Sequence, residues 1–149
     1  MKVLIGSDHG GFKLKNELVN FLKQKKIIVE DLGTHSEDSC DYPIVAFNVA
    51  KKVSKDKNSK GILICKSGIG NSIVANKVKG IRAALCYNLL SAKLSRQHND
   101  ANILVLGARF TKKELAKKIA LTWLKTDFEG GRHLRRVNQI KKIEGKGIC

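Results

Sequence analysis

The sequence predicts an α/β fold in which five parallel strands form a doubly wound, Rossmann-like sheet with an extra C-terminal helix. Two observations support this prediction. Short apolar runs of strand length recur along the chain without polar alternation, as expected of strands buried on both faces. Between them lie segments whose apolar residues recur at helical spacing. Strands and helices that alternate in this way form parallel sheets with right-handed crossovers.

The elements follow one another in a regular order. The predicted strands are residues 3–5, 27–29, 62–64, 81–86 and 103–106. The apolar helix faces between them are Leu14, Leu18, Phe21 and Leu22; Val45, Val49 and Val53; Ile73, Val74 and Val78; and Leu89, Leu90 and Leu94. A capping box at 111–114 predicts the start of a further helix. Since ligands bind beyond the carboxyl ends of such strands, we expect the loops 6–11, 65–71 and 107–110 to form the site.

One more helix is predicted after the sheet is complete, over residues 131–145. Its narrow apolar stripe consists of Leu134, Val137, Ile140 and Ile143. The helix either packs back on the sheet or crosses to a neighbouring subunit, where Arg132 and Arg136, one turn apart, would reach a shared site.

Length and composition indicate one domain, residues 1–149, with 42% hydrophobic residues. The N-terminus has no cleavage pattern and no apolar stretch reaches membrane-spanning length, so we expect a cytoplasmic protein with no membrane partner. The four cysteines lie far apart without a CxxC pair, which favours free thiols over a metal site or redox pair. Cys86 is predicted to be buried in a strand and Cys149 to lie in an exposed tail.

The net charge of +16 raises the alternative of a basic nucleic-acid-binding domain. Lysines are spread along nearly every polar stretch, and aromatic residues make up only 5% of the chain. A solvated lysine-rich surface is therefore favoured, with no nucleic-acid partner. The few arginines, including Arg96, Arg109, Arg132 and Arg136, lie near the segments that indicate function, and arginine binds phosphate in a fixed two-pronged geometry.

The stretch 61–72, GILICKSGIGNS, places a thiol at the end of a strand and before a glycine-spaced loop. A phosphate-binding Walker loop would need its lysine and serine after the last glycine, and a dinucleotide fingerprint would need a third small residue. A cysteine phosphatase would need arginine where Asn71 stands. The remaining interpretation is that Cys65 acts as a base and removes a proton from a carbon next to a carbonyl group. The backbone N–H groups of residues 66–70 would then stabilise the oxyanion that forms. An inert buried cysteine is the alternative.

Three of the four histidines lie near predicted site segments. His9 follows Asp8 after the first strand, His98 and Asn99 precede the fifth strand, and His133 adjoins Arg132. Taken singly, each is more typical of a surface or capping residue than of a catalyst.

Seven stretches in order carry a family resemblance: 6–11 (GSDHGG), 41–43 (DYP), 64–72 (ICKSGIGNS), 75–77 (ANK), 80–83 (GIRA), 94–100 (LSRQHND) and 129–133 (EGGRH). Together they resemble ribose-5-phosphate isomerases of the B type, in the family shared with galactose- and allose-6-phosphate isomerases. The resemblance covers nearly the whole chain.

The resemblance implies an aldose–ketose isomerase that uses a cis-enediol and neither metal nor other cofactor. It implies Cys65 as the base, Ser67 as a hydroxyl that helps to move the proton between O1 and O2, His98 as the ring-opening residue and Asp8 as a second acid–base or hydroxyl contact. The implied substrate-binding set is Asp8, His9, Tyr42, Lys66, Ser67, Gly68, Ile69, Gly70, Asn99, Arg109, Arg132 and Arg136. Allose or galactose 6-phosphate is the alternative substrate, and a relic with a dead site is a further alternative.

Two positions depart from the family pattern, with Lys66 in place of glycine and Ser67 in place of threonine. Either the Lys66 backbone reaches the sugar without a positive φ, or it accepts strain there. We expect its side chain to point into solvent. The resemblance also implies a homodimer or a dimer of dimers with active sites shared between chains, which agrees with the orphan helix 131–145.

Overall fold

The computed structural model describes residues 1–146 and confirms the predicted doubly wound sheet. Its five strands are β1 (Lys2–Ser7), β2 (Ile28–Asp31), β3 (Ser59–Cys65), β4 (Ala83–Leu85) and β5 (Ile103–Gly107). All strand pairs are parallel, in the order β2-β1-β3-β5-β4. The helices are α1 (Phe12–Gln24), α2 (Tyr42–Lys55), α3 (Ile69–Ala75), α4 (Leu89–Asn99), α5 (Lys113–Lys125) and α6 (Gly131–Lys146). No helix within residues 1–146 has the length and apolar character that a membrane crossing requires.

The core lies on both faces of the three central strands. Ile5, Ile62 and Leu104 face one side, where α1, α4 and α5 cover them. Leu4, Leu63, Ile103 and Val105 face the other side, under α2 and α3. Each buried aliphatic side chain contributes about 1.5–3 kcal/mol, so the continuous apolar runs explain why these strands occupy the centre.

The two outer strands are less buried than the sequence predicted. No residue of β2 or β4 is fully buried, although both were predicted as strands covered on two faces. The strand order explains the difference, because β2 and β4 lie at the sheet edges and the helices cover them only in part. Cys86, predicted inside a strand, follows β4 directly and is buried. Cys149 lies outside the described residues.

Three helix predictions were wrong in detail. Ile73 was assigned to an apolar core face but is 57% exposed, and Val78, assigned to the same face, lies beyond the end of α3 at Ala75. Leu89 and Leu90 were assigned to an apolar core face but are 40% and 64% exposed, because α4 packs through Ala92, Ser95 and Arg96 instead. The capping box at 111–114 does not form. Helix α5 begins at Lys113 with no side-chain cap, and Thr111 is buried in the turn after β5, where its N–H donates to the Gly107 carbonyl.

Helix α6 attaches to its own protomer along α4 and leaves most of its apolar stripe uncovered. Val137 is buried, whereas Leu134, Ile140 and Ile143 are about half exposed. The Glu144 carboxylate accepts the Gly80 N–H at 2.6 Å and ties the last turns to the loop before β4. The protomer therefore holds the helix but does not bury it.

Candidate active site

Cys65 lies at the carboxyl end of β3, in the middle of the sheet, and is 4% exposed. The Gly68 N–H donates to its sulfur at 3.1 Å. This contact differs from the prediction that every N–H of 66–70 would be available to a substrate oxyanion. The sulfur that would act as the base therefore has a backbone N–H directed at it.

Gly68 makes this contact possible through its conformation. Its φ of +83° lies in the left-handed region, which favours glycine. A Cβ at this position would meet Leu85 Cδ1 at 2.4 Å. The loop therefore turns back toward the sulfur only because residue 68 has no side chain.

The loop after β1 lies against the loop after β3. Asp8 is buried and accepts the Gly11 N–H at 3.0 Å, which fixes its carboxylate. A Cβ on Gly10 would lie 3.3 Å from both Asp8 Oδ1 and the Lys66 Cβ, so the two loops are in close contact. His9 Nδ1 lies 3.2 Å from the backbone nitrogen and oxygen of Cys40, which holds the imidazole at the rim.

Two further predicted residues reach the same loop from other elements. The Arg109 N–H donates to the Lys66 carbonyl at 2.9 Å, which places this arginine beside the loop after β3. At the first turn of α2, the Tyr42 ring packs so close to Gly70 that a Cβ there would lie 2.6 Å from it. The carboxyl edge thus collects Asp8, His9, Tyr42, residues 65–70 and Arg109.

The two residues that depart from the family pattern fit the loop. Lys66 has no positive φ, which decides against the strained alternative, and its side chain is exposed, as expected. Ser67 is half-buried, and its Oγ accepts the Ile69 N–H at 3.3 Å. A hydroxyl is therefore available next to the thiol without backbone strain at residue 66.

The remaining predicted residues lie at the opposite edge of the protomer. Helix α4 starts at the carboxyl edge and runs back, so His98 and Asn99 come just before β5 begins. Arg132 and Arg136 are exposed in the first turns of α6, which packs on α4. Strand β5 alone, with five residues, spans about 17 Å, so one protomer does not bring these four residues to Cys65.

His98 belongs to a compact cluster that the sequence did not reveal. Its ring stacks on that of His133 with a centroid separation of 4.1 Å and an interplanar angle of 6°. Glu129 Oε2 lies 4.0 Å from His98 Nε2 and 3.6 Å from His133 Nε2. Burial and the nearby positive charges of His98 and Arg132 lower the pKa of His133. Sequence reasoning gave Glu129 and His133 no role, although their i, i+4 spacing is compatible with contact on a helix start.

The chain is similar to known proteins in both sequence and fold. Residues 3–140 match the family model described as Ribose/Galactose Isomerase. The chain is 49% identical over 143 residues to ribose-5-phosphate isomerase B of Escherichia coli, with 96% of each chain covered. It is similar to the structure of ribose-5-phosphate isomerase B from Clostridium thermocellum, with a TM-score of 0.96, 52% identity, and coverage of 99% of this chain and 100% of that one. A Mycoplasma genitalium ribose-5-phosphate isomerase B with bound ribulose 5-phosphate matches with a TM-score of 0.95, 45% identity and 97% coverage of both chains.

Proposed function

We propose that this chain, which belongs to the ribose/galactose isomerase family, interconverts ribose 5-phosphate and ribulose 5-phosphate with the Cys65 thiolate as the base. The observation that carries the proposal is the buried thiol at the end of β3 with the Gly68 N–H directed at its sulfur. The similar proteins named ribose-5-phosphate isomerase B, one of them with ribulose 5-phosphate bound, support the choice of substrate.

The reaction requires one proton to move between neighbouring carbons of the open-chain sugar. The thiolate takes the proton from C2 of the aldose, and the electron pair of the broken C–H bond forms the C1–C2 double bond of a cis-enediol as the C1 carbonyl oxygen becomes a hydroxyl. The thiol then returns the proton to C1, while the proton of the C2 hydroxyl leaves and the C2 carbonyl forms. Ser67 lies two residues from the base, and its hydroxyl would carry the proton between O1 and O2.

The negative charge that develops on the sugar oxygen needs donors that are already in place. The first N–H groups of a helix have no intrahelical acceptors, and α3 starts at Ile69 in the loop that holds the thiol. Because the Gly68 N–H donates to the Cys65 sulfur and the Ile69 N–H to Ser67 Oγ, the other N–H groups of the loop 66–70 are the proposed donors to the enediolate. Because this base works only while its thiol is reduced, we place the enzyme in the cytoplasm.

A complete site requires a second copy of the chain. The carboxyl edge offers the base, Asp8, His9, Tyr42 and Arg109, whereas His98, Asn99, Arg132 and Arg136 lie at the other edge. Apolar side chains near the Cys65 loop remain uncovered, among them Ile69 and Phe110, which are 52% and 58% exposed. We infer a homodimer, or a pair of such dimers, in which the α4–α6 edge of one subunit completes the Cys65 edge of its partner.

In this arrangement the residues from the second subunit have distinct roles. His98 would protonate the ring oxygen of the furanose while Asp8 of the first subunit takes the proton of the anomeric hydroxyl, so that the ring opens to the aldehyde. The His98 side chain is partly exposed, and an imidazole can donate or accept a proton. Asn99 would hold sugar hydroxyls. Arg132 and Arg136 on that subunit, with Arg109 and His9 on the first, would bind the phosphate dianion and fix the reactive carbons over the thiol.

The test is isomerisation by the purified chain in buffer with EDTA, with ribose 5-phosphate and allose 6-phosphate assayed side by side. We expect ribulose 5-phosphate to form, unaffected by the chelator, and much slower turnover of the hexose. Turnover of allose 6-phosphate but not of ribose 5-phosphate would be consistent with the proposed mechanism but would show that the substrate is the hexose phosphate. No turnover of either sugar by a folded, dimeric chain would contradict the proposal.

A further inference from the structure

We propose that His98, Glu129 and His133, the His–Glu–His cluster, form a zinc site, and that zinc bound there inhibits the isomerase. The inhibition rests on the proposed function, because it assumes that His98 opens the sugar ring. The binding of zinc rests only on the geometry of the three side chains.

The cluster brings three metal-binding atoms together from two separate elements. The ligand atoms of His98, Glu129 and His133 all lie within 4.8 Å of one another. In a tetrahedral site with bonds of about 2.1 Å, neighbouring ligand atoms lie roughly 3.4 Å apart. The measured separations of 3.6 Å and 4.0 Å between Glu129 Oε2 and the two imidazole nitrogens are close to that spacing.

Zinc binding requires the side chains of His98 and Glu129 to move, and both are partly exposed. The rings are parallel, within 6°, and a metal ion lies in the plane of each imidazole that binds it, so the rings must tilt apart. His98 and Glu129 have 37% and 48% of their side chains exposed, whereas His133 is buried and serves as the fixed ligand. The backbone holds Glu129 near His98, because its N–H donates to the Gln97 carbonyl at 3.1 Å.

The donor set selects the metal class. Two imidazoles and one carboxylate suit zinc and similar transition metals, whereas magnesium and calcium prefer all-oxygen ligands. Three protein ligands leave a fourth position for water, as in open zinc sites. The neighbouring Arg132 and Arg136 oppose cation binding, so we expect micromolar rather than nanomolar affinity.

Zinc bound to the cluster occupies Nε2 of His98. That nitrogen can then neither accept nor donate a proton at the ring oxygen of the sugar, and the ion blocks the approach of the furanose to the imidazole. Zinc should therefore inhibit isomerisation of ribose 5-phosphate, and removing the ion should restore it.

The binding test is calorimetry with zinc chloride alone on the full chain after treatment with EDTA and dialysis. We expect one zinc ion per chain in the wild type. Glu129→Gln, at a half-exposed position that tolerates the change, should weaken binding roughly tenfold or more. His35→Gln, which changes an exposed histidine outside the cluster, is the matched control and should bind zinc like the wild type.

Three results would contradict the zinc site. These are an absence of binding up to millimolar zinc, equal affinity in Glu129→Gln and wild type, and a thiolate-to-metal charge-transfer band in the cobalt-substituted protein, which would place the ion on a cysteine. A cobalt spectrum without that band supports the cluster.

Isomerase activity, measured over the same range of zinc concentrations, tests inhibition separately from zinc binding. We expect inhibition to follow the zinc-binding curve, to reverse with EDTA, and to require roughly tenfold more zinc in Glu129→Gln. Zinc binding at the cluster without inhibition would refute the inhibition alone. If the chain isomerised neither sugar phosphate, both the proposed function and the proposed inhibition would be contradicted. Calorimetry would still show whether the cluster binds zinc.

Discussion

At the scale of single residues, the chemistry depends on what surrounds the Cys65 sulfur. The side chain is almost fully buried, and the Gly68 N–H lies 3.1 Å from the sulfur. Cys86 is buried as well, but burial among apolar neighbours raises the pKa of its thiol, and it follows an edge strand away from the loop 66–70. The Cys65 sulfur has the Gly68 N–H directed at it from the proposed anion-binding loop, which is why we propose Cys65 and not Cys86 as the base.

Cys65→Ala should lower kcat by about 10²–10⁴-fold, the usual contribution of a general base, while sugar-phosphate binding stays within a few-fold of wild type. The measurement is steady-state kinetics together with equilibrium binding of ribose 5-phosphate. Cys86→Ala is the matched control and should keep its kcat, although it loses stability. Turnover of Cys65→Ala close to that of wild type would show that another group is the base.

Arg136→Ala should raise KM, because a charge-assisted hydrogen bond to phosphate contributes about 1.5–3 kcal/mol, which corresponds to roughly tenfold or more in affinity. The kcat value should change much less. Arg135→Ala removes the same charge from a neighbouring exposed position on α6 and should leave KM nearly unchanged. Equal effects of the two substitutions would indicate a general effect of charge rather than a phosphate contact.

At the scale of elements, the loop between β3 and α3 joins the base to the helix start. It holds its shape because Gly68 adopts a positive φ and because Gly107 lies so close to Ser67 that a Cβ there would meet the Ser67 carbonyl oxygen at 2.4 Å. The carbonyl groups of Cys65 and Lys66 accept N–H groups from Ala108 and Arg109, both at 2.9 Å. The chain just after β5 thus positions Cys65, the proposed base, as much as β3 itself does.

Gly68→Ala should greatly reduce both stability and activity. The left-handed conformation costs about 1–2 kcal/mol for alanine, and the added Cβ would also clash with Leu85. Gly80→Ala is the matched control, because Gly80 has a φ of +84° with no atom within 4 Å of the added Cβ. Thermal unfolding and kcat of both variants would check this. Equal losses of stability and kcat in the two variants would mean that the contact between the added Cβ and Leu85 is relieved at no cost.

Glu30 on β2 holds the edge strand to its neighbours. Its carboxylate pairs with Lys2 on β1 and with Lys52 on α2, and the hydrogen bonds from these lysines lower its pKa. The folded state therefore binds this proton less readily than the unfolded state does. The stabilisation from these pairs is complete above the ordinary value of 4.5 and is lost as the pH falls from there through the lower pKa of the folded state.

Glu30→Gln should therefore flatten the dependence of the free energy of unfolding on pH below about 4.5, with a difference smaller than about 1 kcal/mol because the pairs are partly exposed. Urea denaturation at several pH values measures it. Glu17→Gln, another partly exposed carboxylate in lysine ion pairs, is a useful comparison. A variant with the same acid-induced loss of stability as wild type would show that Glu30 does not contribute.

At the scale of the whole molecule, the residues of the proposed site lie in two groups at opposite edges of the sheet. Cys65 and its neighbours lie at the carboxyl edge, and His98 with the arginines of α6 lies at the other. The half-exposed Leu134, Ile140 and Ile143 on α6 and the apolar residues around the Cys65 loop are surfaces that a second copy would cover. The same arrangement would bring the two groups together.

Mixed dimers test this arrangement directly. Cys65→Ala and His98→Asn should each be nearly inactive, yet a mixture of the two should recover about a quarter of wild-type activity, because half of the dimers are hybrids with one intact site of two. The mixture must be refolded or co-expressed so that the subunits exchange. Activity of the mixture no higher than that of the separate variants would place the whole site within one chain.

The sequence by itself determined the fold class, the central strands, the loops of the carboxyl edge and the family. These follow from local patterns, since continuous apolar runs such as 62–64 can be buried only between two helical layers, and a motif such as 64–72 is read along the chain.

Only the tertiary structure decided which elements lie at the sheet edges, which leucines of α4 are uncovered, and that Thr111 is buried and does not cap α5. It also placed His98 against His133 and Glu129, away from the Cys65 edge of the same protomer. These features depend on contacts between segments that are distant along the chain. A spacing pattern shows which face of a helix is apolar, but the neighbours that cover this face are fixed by strand order and by the packing of remote helices.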